Sequence, residues 1–129
     1  MRAPVLSFDM PDLGTQLAAL SDAALDALDF GVIGFDSDTV VCRYNEVEST
    51  AAGLSPQRVL DQPLFTNVAP CMNNFMVAQR FEDAAEQGTT LDVTIDYVLT
   101  LRMRPVKVAL RLVALPGAAV RYVLVRRQA

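Results

Sequence analysis

The sequence contains no histidine. A chain without histidine has no Ser–His–Asp relay, no Cys–His nucleophile pair, no histidine-ligated haem and no ordinary zinc site. Its two cysteines, Cys42 and Cys71, are too few for a disulfide scaffold or a structural metal cluster. An enzyme built from this chain would therefore have to use carboxylates, one thiol or a bound organic group.

Long apolar runs are missing too, because no run approaches the roughly 18 residues of a membrane span. Pro4, Asp9, Pro11 and Asp12 interrupt the first residues, which therefore lack the core of a signal peptide. The chain nevertheless has 129 residues, 52% of them hydrophobic and 20% charged, which is enough apolar material for one folded domain. We expect a single-domain cytoplasmic protein that does not bind membranes.

Acidic residues are absent after Asp96, so all 15 of them lie in the first three quarters of the chain. The last part carries only basic charges: Arg102, Arg104, Lys107, Arg111, Arg121, Arg126 and Arg127. Such asymmetry is typical of a nucleic-acid-binding surface, and equally of two parts of one domain that attract each other. The strand pattern described below favours the second interpretation, so we expect no nucleic-acid partner.

The first 28 residues are predicted to be helical. Leu13, Leu17 and Leu20 recur at helical spacing, and Ser21 is placed to cap a second short helix. This segment also carries most of a group of acidic residues: Asp9, Asp12, Asp22, Asp26 and Asp29. We expect residues 1–28 to form a helical cap over the basic face of a core domain at residues 29–129.

The remaining residues predict five strands. Two short strands at 30–35 and 39–43 precede a region of short helices, and a stronger helix is predicted over 75–87, ending at Gly88. Three strands with a period of two follow, at 93–103, 106–112 and 120–125. This order predicts an α+β fold, a five-stranded antiparallel sheet with helices on one face and the N-terminal cap on the other. The alternation points Tyr97 and Met103 inward, and Arg102, Lys107 and Arg111 outward.

Three short motifs carry the clearest functional signal: Tyr44-Asn-x-x-Glu48, Val68-Ala-Pro-Cys71 and Met103-Arg-Pro-Val-Lys107. With their spacing, and with the stretch at 25–33, they resemble the photoactive yellow protein family, the bacterial blue-light receptors of PAS fold. The resemblance extends from about Leu20 to Arg126. It implies a photoreceptor rather than an enzyme.

The resemblance also implies a chemistry for named residues. Cys71 would carry p-coumaric acid (4-hydroxycinnamic acid) as a thioester, and Tyr44 and Glu48 would hold its phenolate oxygen. Light would isomerise the group from trans to cis, Glu48 would give its proton to the phenolate, and the buried carboxylate would drive a conformational change as the signal. The other residues implied to contact the group are Ala52, Leu54, Leu64, Val68, Ala69, Pro70, Leu99 and Met103.

Elementary chemistry supports these roles. If Tyr44 begins a helical turn, a spacing of four lets its side chain and that of Glu48 converge on one oxygen. A buried carboxyl without a neighbouring cation favours its neutral form and can then donate a hydrogen bond. A thiolate is readily acylated, and the proline before Cys71 stiffens its loop. Cys42 lies in an apolar strand and is expected in the core.

The chain departs from the family pattern at four of these positions. Ala52 stands where well-studied relatives have a threonine, Leu54 where they have an arginine, and Leu64 and Leu99 where aromatics are usual. Loss of the threonine hydroxyl weakens the hydrogen-bond network that supports Tyr44. We expect an absorption maximum at longer wavelength than is usual for the family, which Ala52→Thr and Leu54→Arg would reverse.

Other functions remain open from the residues. A PAS domain without chromophore would be an interaction or dimerisation module, although such a module has no need of Cys71, Glu48 and Tyr44 together. A thiol enzyme with Cys71 as nucleophile and Glu48 as base lacks the usual histidine. A flavin sensor lacks its Asn-Cys-Arg-Phe motif, and a haem sensor lacks its axial histidine. We expect a monomer or weak dimer that signals to a protein the sequence does not identify.

Overall fold

The computed structural model describes residues 6–100 and 105–127. Over these ranges the chain forms five α-helices, one π-helical turn and one 3-10 turn. The α-helices are α1 (Leu13–Ala19), α2 (Asp22–Leu25), α3 (Glu46–Ala52), α4 (Pro56–Val59) and α5 (Ala78–Gln87). A π-helical turn at Leu64–Val68 and a 3-10 turn at Pro70–Met72 lie between α4 and α5. In the described part of the chain, none of these helices has the length and apolar character needed to cross a bilayer.

The strands form one antiparallel sheet of five strands in the order β2-β1-β5-β4-β3, which confirms the predicted fold. Their bounds are β1 (Gly31–Phe35), β2 (Val41–Tyr44), β3 (Leu91–Leu99), β4 (Val106–Ala114) and β5 (Arg121–Arg127). The third strand was expected to continue to Met103. It ends at Leu99, and Met103 itself lies outside the described residues.

Strands β1, β4 and β5 bury side chains on both faces of the sheet, whereas β3 exposes its outward side chains. Alternation along each strand decides on which face a side chain lies. In β5, Val123 and Val125 join the inner core under the helices, whereas Tyr122 and Leu124 join a second core on the outer face. The other members of the second core include the apolar side chains of the N-terminal segment: Leu6, Phe8, Leu13, Leu17, Leu25 and Leu28. The N-terminal helices therefore pack on the face opposite the other helices, as predicted.

Arginines from the sheet hold this N-terminal segment mainly through its backbone. Arg43 donates hydrogen bonds to the carbonyl oxygens of Leu17 (2.8 Å) and Leu20, and Arg111 donates to those of Phe8 (2.9 Å) and Met10. We had attributed the attraction to carboxylates. Arg43 and Arg126 do pair with Asp22 and Asp9, but these two acidic side chains are 85% and 69% exposed. Ion pairs this exposed contribute little to stability, so carbonyl oxygens and apolar packing are the stronger contacts.

The strongest predicted helix begins three residues later than expected, at Ala78 instead of Phe75. Asn74 explains the delay, because its Oδ1 accepts hydrogen bonds from the backbone N–H groups of Met76 (3.0 Å) and Val77 (3.2 Å). The preceding residues thus form a turn before the helix. The helix ends at Gly88, as predicted, in the left-handed conformation with φ of 64°.

Candidate functional site

Asn45 fixes the start of α3 against the sheet. Its side chain is buried, and its Oδ1 caps the helix by accepting from the backbone N–H of Glu48 (3.1 Å) and from that of Val32 in β1 (2.9 Å). Its Nδ2 donates to the carbonyl oxygens of Leu25 and Phe30, both at 3.0 Å. One amide therefore joins α3, the sheet and the end of the N-terminal segment. From the residues alone, Asn45 has no predicted role beyond its place in the motif.

Tyr44 is the last residue of β2 and not the first of a helical turn, so our premise about its spacing from Glu48 was wrong. Tyr44 is nevertheless buried in the inner core, and its hydroxyl donates a long hydrogen bond of 3.5 Å to the backbone oxygen of Glu48. Burial raises the pKa of Tyr44 and the negative charge of Glu48 raises it further, while Arg127 opposes both. Tyr44 is therefore a neutral hydrogen-bond donor across the physiological pH range.

Glu48 is 2% exposed and forms an ion pair with Arg127. The Nη1 of Arg127 lies 2.7 Å from Oε1 of Glu48, and its Nη2 lies 3.1 Å from Oε2. This hydrogen bonding raises the pKa of the Arg127 guanidinium. Our expectation of a buried carboxyl without a cation was wrong. Alternation in β5 places residue 127 on the same face as Val123 and Val125. Only the pairing of β5 with β1 brings it close to Glu48.

Gly31 makes the space that the Glu48 carboxylate occupies. A Cβ atom built at Gly31 in β1 would collide with Oε1 of Glu48 and come within 3.1 Å of its Cβ and Cδ. Every other residue type carries a Cβ, so this strand position admits only glycine while Glu48 keeps its place. The backbone of β1 thus forms one wall of the carboxylate site.

Cys71 lies in the 3-10 turn Pro70–Met72, with a free thiol on a half-buried side chain that packs against the inner core. Two side chains hold the turn. The Tyr97 hydroxyl donates to the Cys71 carbonyl oxygen at 2.5 Å, and Asn74 Nδ2 donates to the same oxygen at 3.0 Å and to the Tyr97 hydroxyl at 2.6 Å. We had placed Tyr97 on the inward face, but neither its bond to Cys71 nor that of Asn74 was foreseen.

The other predicted contact residues lie around the same inner core. Leu64, Val68, Ala69 and Leu99 are buried members of it, and Leu54 packs against it while partly buried. Ala52 is buried near the end of α3, and Pro70 is exposed at the start of the Cys71 turn. The structure therefore brings Leu54, Leu64, Val68, Ala69 and Leu99 together in the inner core.

Cys42, expected in the core, is exposed. The register of β1 and β2 shifts between Gly34, which pairs with Arg43, and Phe35, which pairs with Val41. This β-bulge leaves Cys42 without a partner position on the edge strand and turns its side chain outward. Simple alternation of side chains fails at such a bulge.

These features match a covalently bound phenol only in part. A free, half-buried thiol in a clamped turn suits an acyl attachment, and the neutral Tyr44 hydroxyl suits donation to an anionic oxygen. The Glu48 carboxyl does not suit a neutral proton donor in the observed arrangement, because both of its oxygens accept hydrogen bonds from Arg127. The fit therefore depends on whether Glu48 leaves its cation.

Most of the chain is similar to known proteins. The chain matches no protein-family profile. It is 32% identical to the photoactive yellow protein of Rhodothalassium salexigens and 33% identical to that of Halochromatium salexigens, each over 104 residues that cover 81% of this chain and 82% of the relative.

Solved structures give the same result. The photoactive yellow protein domain of the sensor histidine kinase Ppr from Rhodospirillum centenum superposes with a TM-score of 0.80 at 35% identity, covering 88% of this chain and 98% of that domain. A PAS domain of an HTR-like protein from Haloarcula marismortui, at 13% identity and a TM-score of 0.59, shares the fold, with coverage of 92% and 100%. The chain belongs to the photoactive yellow protein family, with the PAS fold of that family.

Proposed function

We propose that this protein is a blue-light photoreceptor that carries p-coumaric acid as a thioester on Cys71. Photoactive yellow proteins are signalling photoreceptors and not enzymes, so the output is a conformational change. The observation that supports the attachment most directly is the free Cys71 thiol, half-buried in a turn that Tyr97 and Asn74 hold against the inner core. Cys42, exposed on a bulge, lacks such surroundings.

The bound group would supply absorption of visible light and isomerisation of one double bond. Cys71 would anchor it as a thioester, because its thiolate would displace the activating group from an acyl carbon as the carbon–sulfur bond formed. The hydrogen bonds that Tyr97 and Asn74 donate to the Cys71 carbonyl oxygen hold the anchor in place while the group changes shape. The Cys71 turn would therefore stay in place when the group isomerises, and it would pass the movement of the group on to its surroundings.

At the other end of the site, Tyr44 would donate a hydrogen bond to the anionic oxygen, since its raised pKa keeps the phenol protonated. Glu48 would supply a proton to that oxygen, and it would hold this proton only while its carboxyl is separated from Arg127. After the transfer a negative charge would remain on a side chain that is 3% exposed. A buried charge of this kind is costly without a partner and favours rearrangement.

The enclosure between these two ends would consist mainly of apolar side chains. We propose Ala52, Leu54, Leu64, Val68, Ala69, Pro70, Leu99 and Met103 as the contact residues. Their low polarity would exclude water and strengthen the hydrogen bonds at the phenolate.

We also propose that residues 1–28 act as a cap on the core at 29–129. The protein would work in the cytoplasm, and a downstream signalling protein would bind one of its two states.

The direct test is loading of the unmodified full chain with activated p-coumaric acid. We expect the mass to increase by one coumaroyl group and a visible absorption band to appear. Cys71→Ala should abolish both, and Cys42→Ala, the matched removal of the other thiol, should preserve both. A chain that stays colourless and unmodified, or a group that attaches to Cys42, would contradict the proposal and favour a chromophore-free PAS interaction or dimerisation module.

A further inference from the structure

The photochemistry outlined above requires the Glu48 carboxyl to separate from Arg127, but it gives the two-point contact itself no role. We propose that Arg127 is a positioning residue that binds the Glu48 carboxylate after it has lost its proton, and so sets the lifetime of the signalling state. The inference rests on the proposed function, because the proton in question goes to the bound phenol. Arg127 acts through Glu48 and touches no part of the pigment in this proposal.

The geometry of the pair selects one protonation state of Glu48. Two nitrogens of Arg127 donate to two oxygens of Glu48, at 2.7 Å and 3.1 Å. A carboxylate accepts at both oxygens, whereas a neutral carboxyl carries a hydroxyl that needs an acceptor, and a guanidinium offers none. Arg127 therefore binds the ionised form of Glu48 and rejects the neutral form.

The side chains of Glu48 and Arg127 differ in their access to solvent and in their freedom to move. Glu48 is 3% exposed, fixed on α3 and enclosed by the backbone at Gly31, so its carboxylate has no route to water from this position. The Arg127 side chain is 24% exposed and lies near the end of β5. A long basic side chain at the edge of a core can place its head in solvent while its stem stays packed. Arg127 is thus the partner that moves when Glu48 is neutral.

The Glu48–Arg127 pair therefore allows a stable state both before and after the proton transfer. With the proton on the Glu48 carboxyl, the negative charge lies on the phenolate oxygen and Arg127 is released. When the Glu48 O–H bond breaks and the phenol O–H bond forms, the charge moves to Glu48 and the guanidinium binds it. Return of the proton then requires this buried pair to separate, which slows recovery.

Arg126 provides a matched control for this proposal. It precedes Arg127 in β5 but lies on the outer face, where it donates to Asp9 at 2.7 Å and its guanidinium packs 4.6 Å from the ring centre of Phe8. Arg127→Met and Arg126→Met each remove one positive charge from the same strand. Only the first removes the cation that contacts Glu48.

The first measurement is recovery of the dark state after a flash of blue light on the loaded full chain. We expect Arg127→Met to recover at least about tenfold faster than the wild type, since loss of a buried ionic partner exceeds the energy of one decade in rate. Arg126→Met should recover at the wild-type rate. Equal recovery rates in Arg127→Met and Arg126→Met would overturn the proposal.

The second measurement uses the same variants without pigment. Infrared spectra with carbon-13-labelled glutamate, referenced to Glu48→Gln, report whether the Glu48 carboxyl is ionised. We expect a carboxylate band in the wild type and in Arg126→Met, and a neutral carbonyl band in Arg127→Met. A neutral Glu48 in the wild type, or no change in Arg127→Met, would contradict the proposal. Failure to load pigment would refute the proposed function and leave this comparison intact.

Arg127→Lys is a second variant that tests the proposal even when Arg127→Met does not fold. Lysine keeps the positive charge but has no planar fork to match both carboxylate oxygens. We expect Glu48 to stay ionised in this variant and recovery to be faster than in the wild type. A wild-type recovery rate in Arg127→Lys would show that the two-point contact does not control the lifetime.

Discussion

The two faces of the sheet use the same types of residue for different purposes. On the outer face, Arg43 and Arg111 donate to backbone carbonyl oxygens and Arg126 pairs with an exposed carboxylate, so their contacts attach the N-terminal segment. On the inner face, Arg127 pairs with a carboxylate that is almost fully buried. The backbone contacts of Arg43 and Arg111 do not depend on the protonation of a carboxylate. The pair of Arg127 with Glu48 depends on a charge that a single proton removes.

The tyrosines differ between the faces in the same way. Tyr122 on the outer face accepts a hydrogen bond from Arg43 at 2.9 Å, within the contacts that hold the N-terminal segment. Tyr97 on the inner side donates to the backbone of Cys71, and Tyr44 lies in the core beside Glu48. The outer face therefore attaches the N-terminal segment, and the inner face carries the residues of the proposed light-sensing site.

The largest effect is expected from deletion of residues 1–25. This change removes buried side chains such as Phe8, Leu13 and Leu17 and uncovers Leu124 and Tyr122 on the sheet. We expect the free energy of unfolding to fall by at least about 3 kcal/mol, since one buried leucine contributes about 1.5–3 kcal/mol. The core should still fold, bind a hydrophobic dye through its new apolar surface, and load pigment on Cys71.

Circular dichroism and chemical denaturation measure this outcome. Full-length protein under the same conditions is the control. A truncated chain without sheet structure would contradict the separation of cap from core, because the second core would then be indispensable for folding.

The next largest effect is expected at the carboxylate site. Gly31→Ala places a methyl group where Oε1 of Glu48 lies, so Glu48 must shift away from Arg127. We expect a loss of about 1–3 kcal/mol in the free energy of unfolding, as is typical of overpacking. In a Glu48→Ala background the colliding oxygen is gone, and the same substitution should cost less. Equal costs in the two backgrounds, by urea denaturation, would show that Gly31 does not serve Glu48.

A smaller effect is expected from removal of the Tyr97 hydroxyl, for which removal of the Tyr122 hydroxyl is the control. Tyr97→Phe removes the hydroxyl that donates to the Cys71 carbonyl oxygen, at a cost of about 1 kcal/mol. We expect the turn to loosen and the rate at which Cys71 reacts with activated p-coumaric acid to change severalfold. Tyr122→Phe loses a hydroxyl of the outer face and should leave that rate unchanged. Identical reaction rates in both variants and the wild type would show that the Tyr97 hydroxyl does not affect the reactivity of Cys71.

The smallest effect is a pH dependence from Tyr44. Its pKa is raised above the ordinary value of 10.0, first by burial and then by Glu48. Above pH 10 the unfolded chain loses this proton while the folded chain keeps it, so the stabilisation present at lower pH is lost progressively as the pH rises. We expect the melting temperature of the wild type to fall more steeply between pH 9 and 11 than that of Tyr44→Phe. Parallel curves would show that Tyr44 titrates normally.

The sequence predicted the fold well because its signals are local and regular. Alternation predicted the faces of β3 and β4. Ser21 begins a helix and Gly88 ends one, where their residue types are favoured. The motifs that identified Tyr44, Glu48 and Cys71 belong to a family shown by the comparisons. Such information requires no knowledge of contacts between distant residues.

The predictions that were wrong or missing share one physical cause. They concern contacts between residues that local sequence patterns do not reveal. Cys42 turns outward because one bulge shifts the pairing of β1 and β2. The partner of Glu48 is Arg127, a residue 79 positions away that is recognisable only once β5 is placed beside β1. Asn74 and Tyr97 meet across 23 positions to hold the Cys71 turn. The charges and hydroxyls of the site were thus visible in the sequence, but their pairing was not.

The most direct test of the account is the response of the loaded wild-type protein to blue light. We expect illumination to bleach the visible band and the band to return in the dark, with the protein mass showing that the coumaroyl group is still on Cys71. A band that persists under illumination, or that bleaches without return, would contradict the claim that the inner face of this sheet is a reversible light-sensing site.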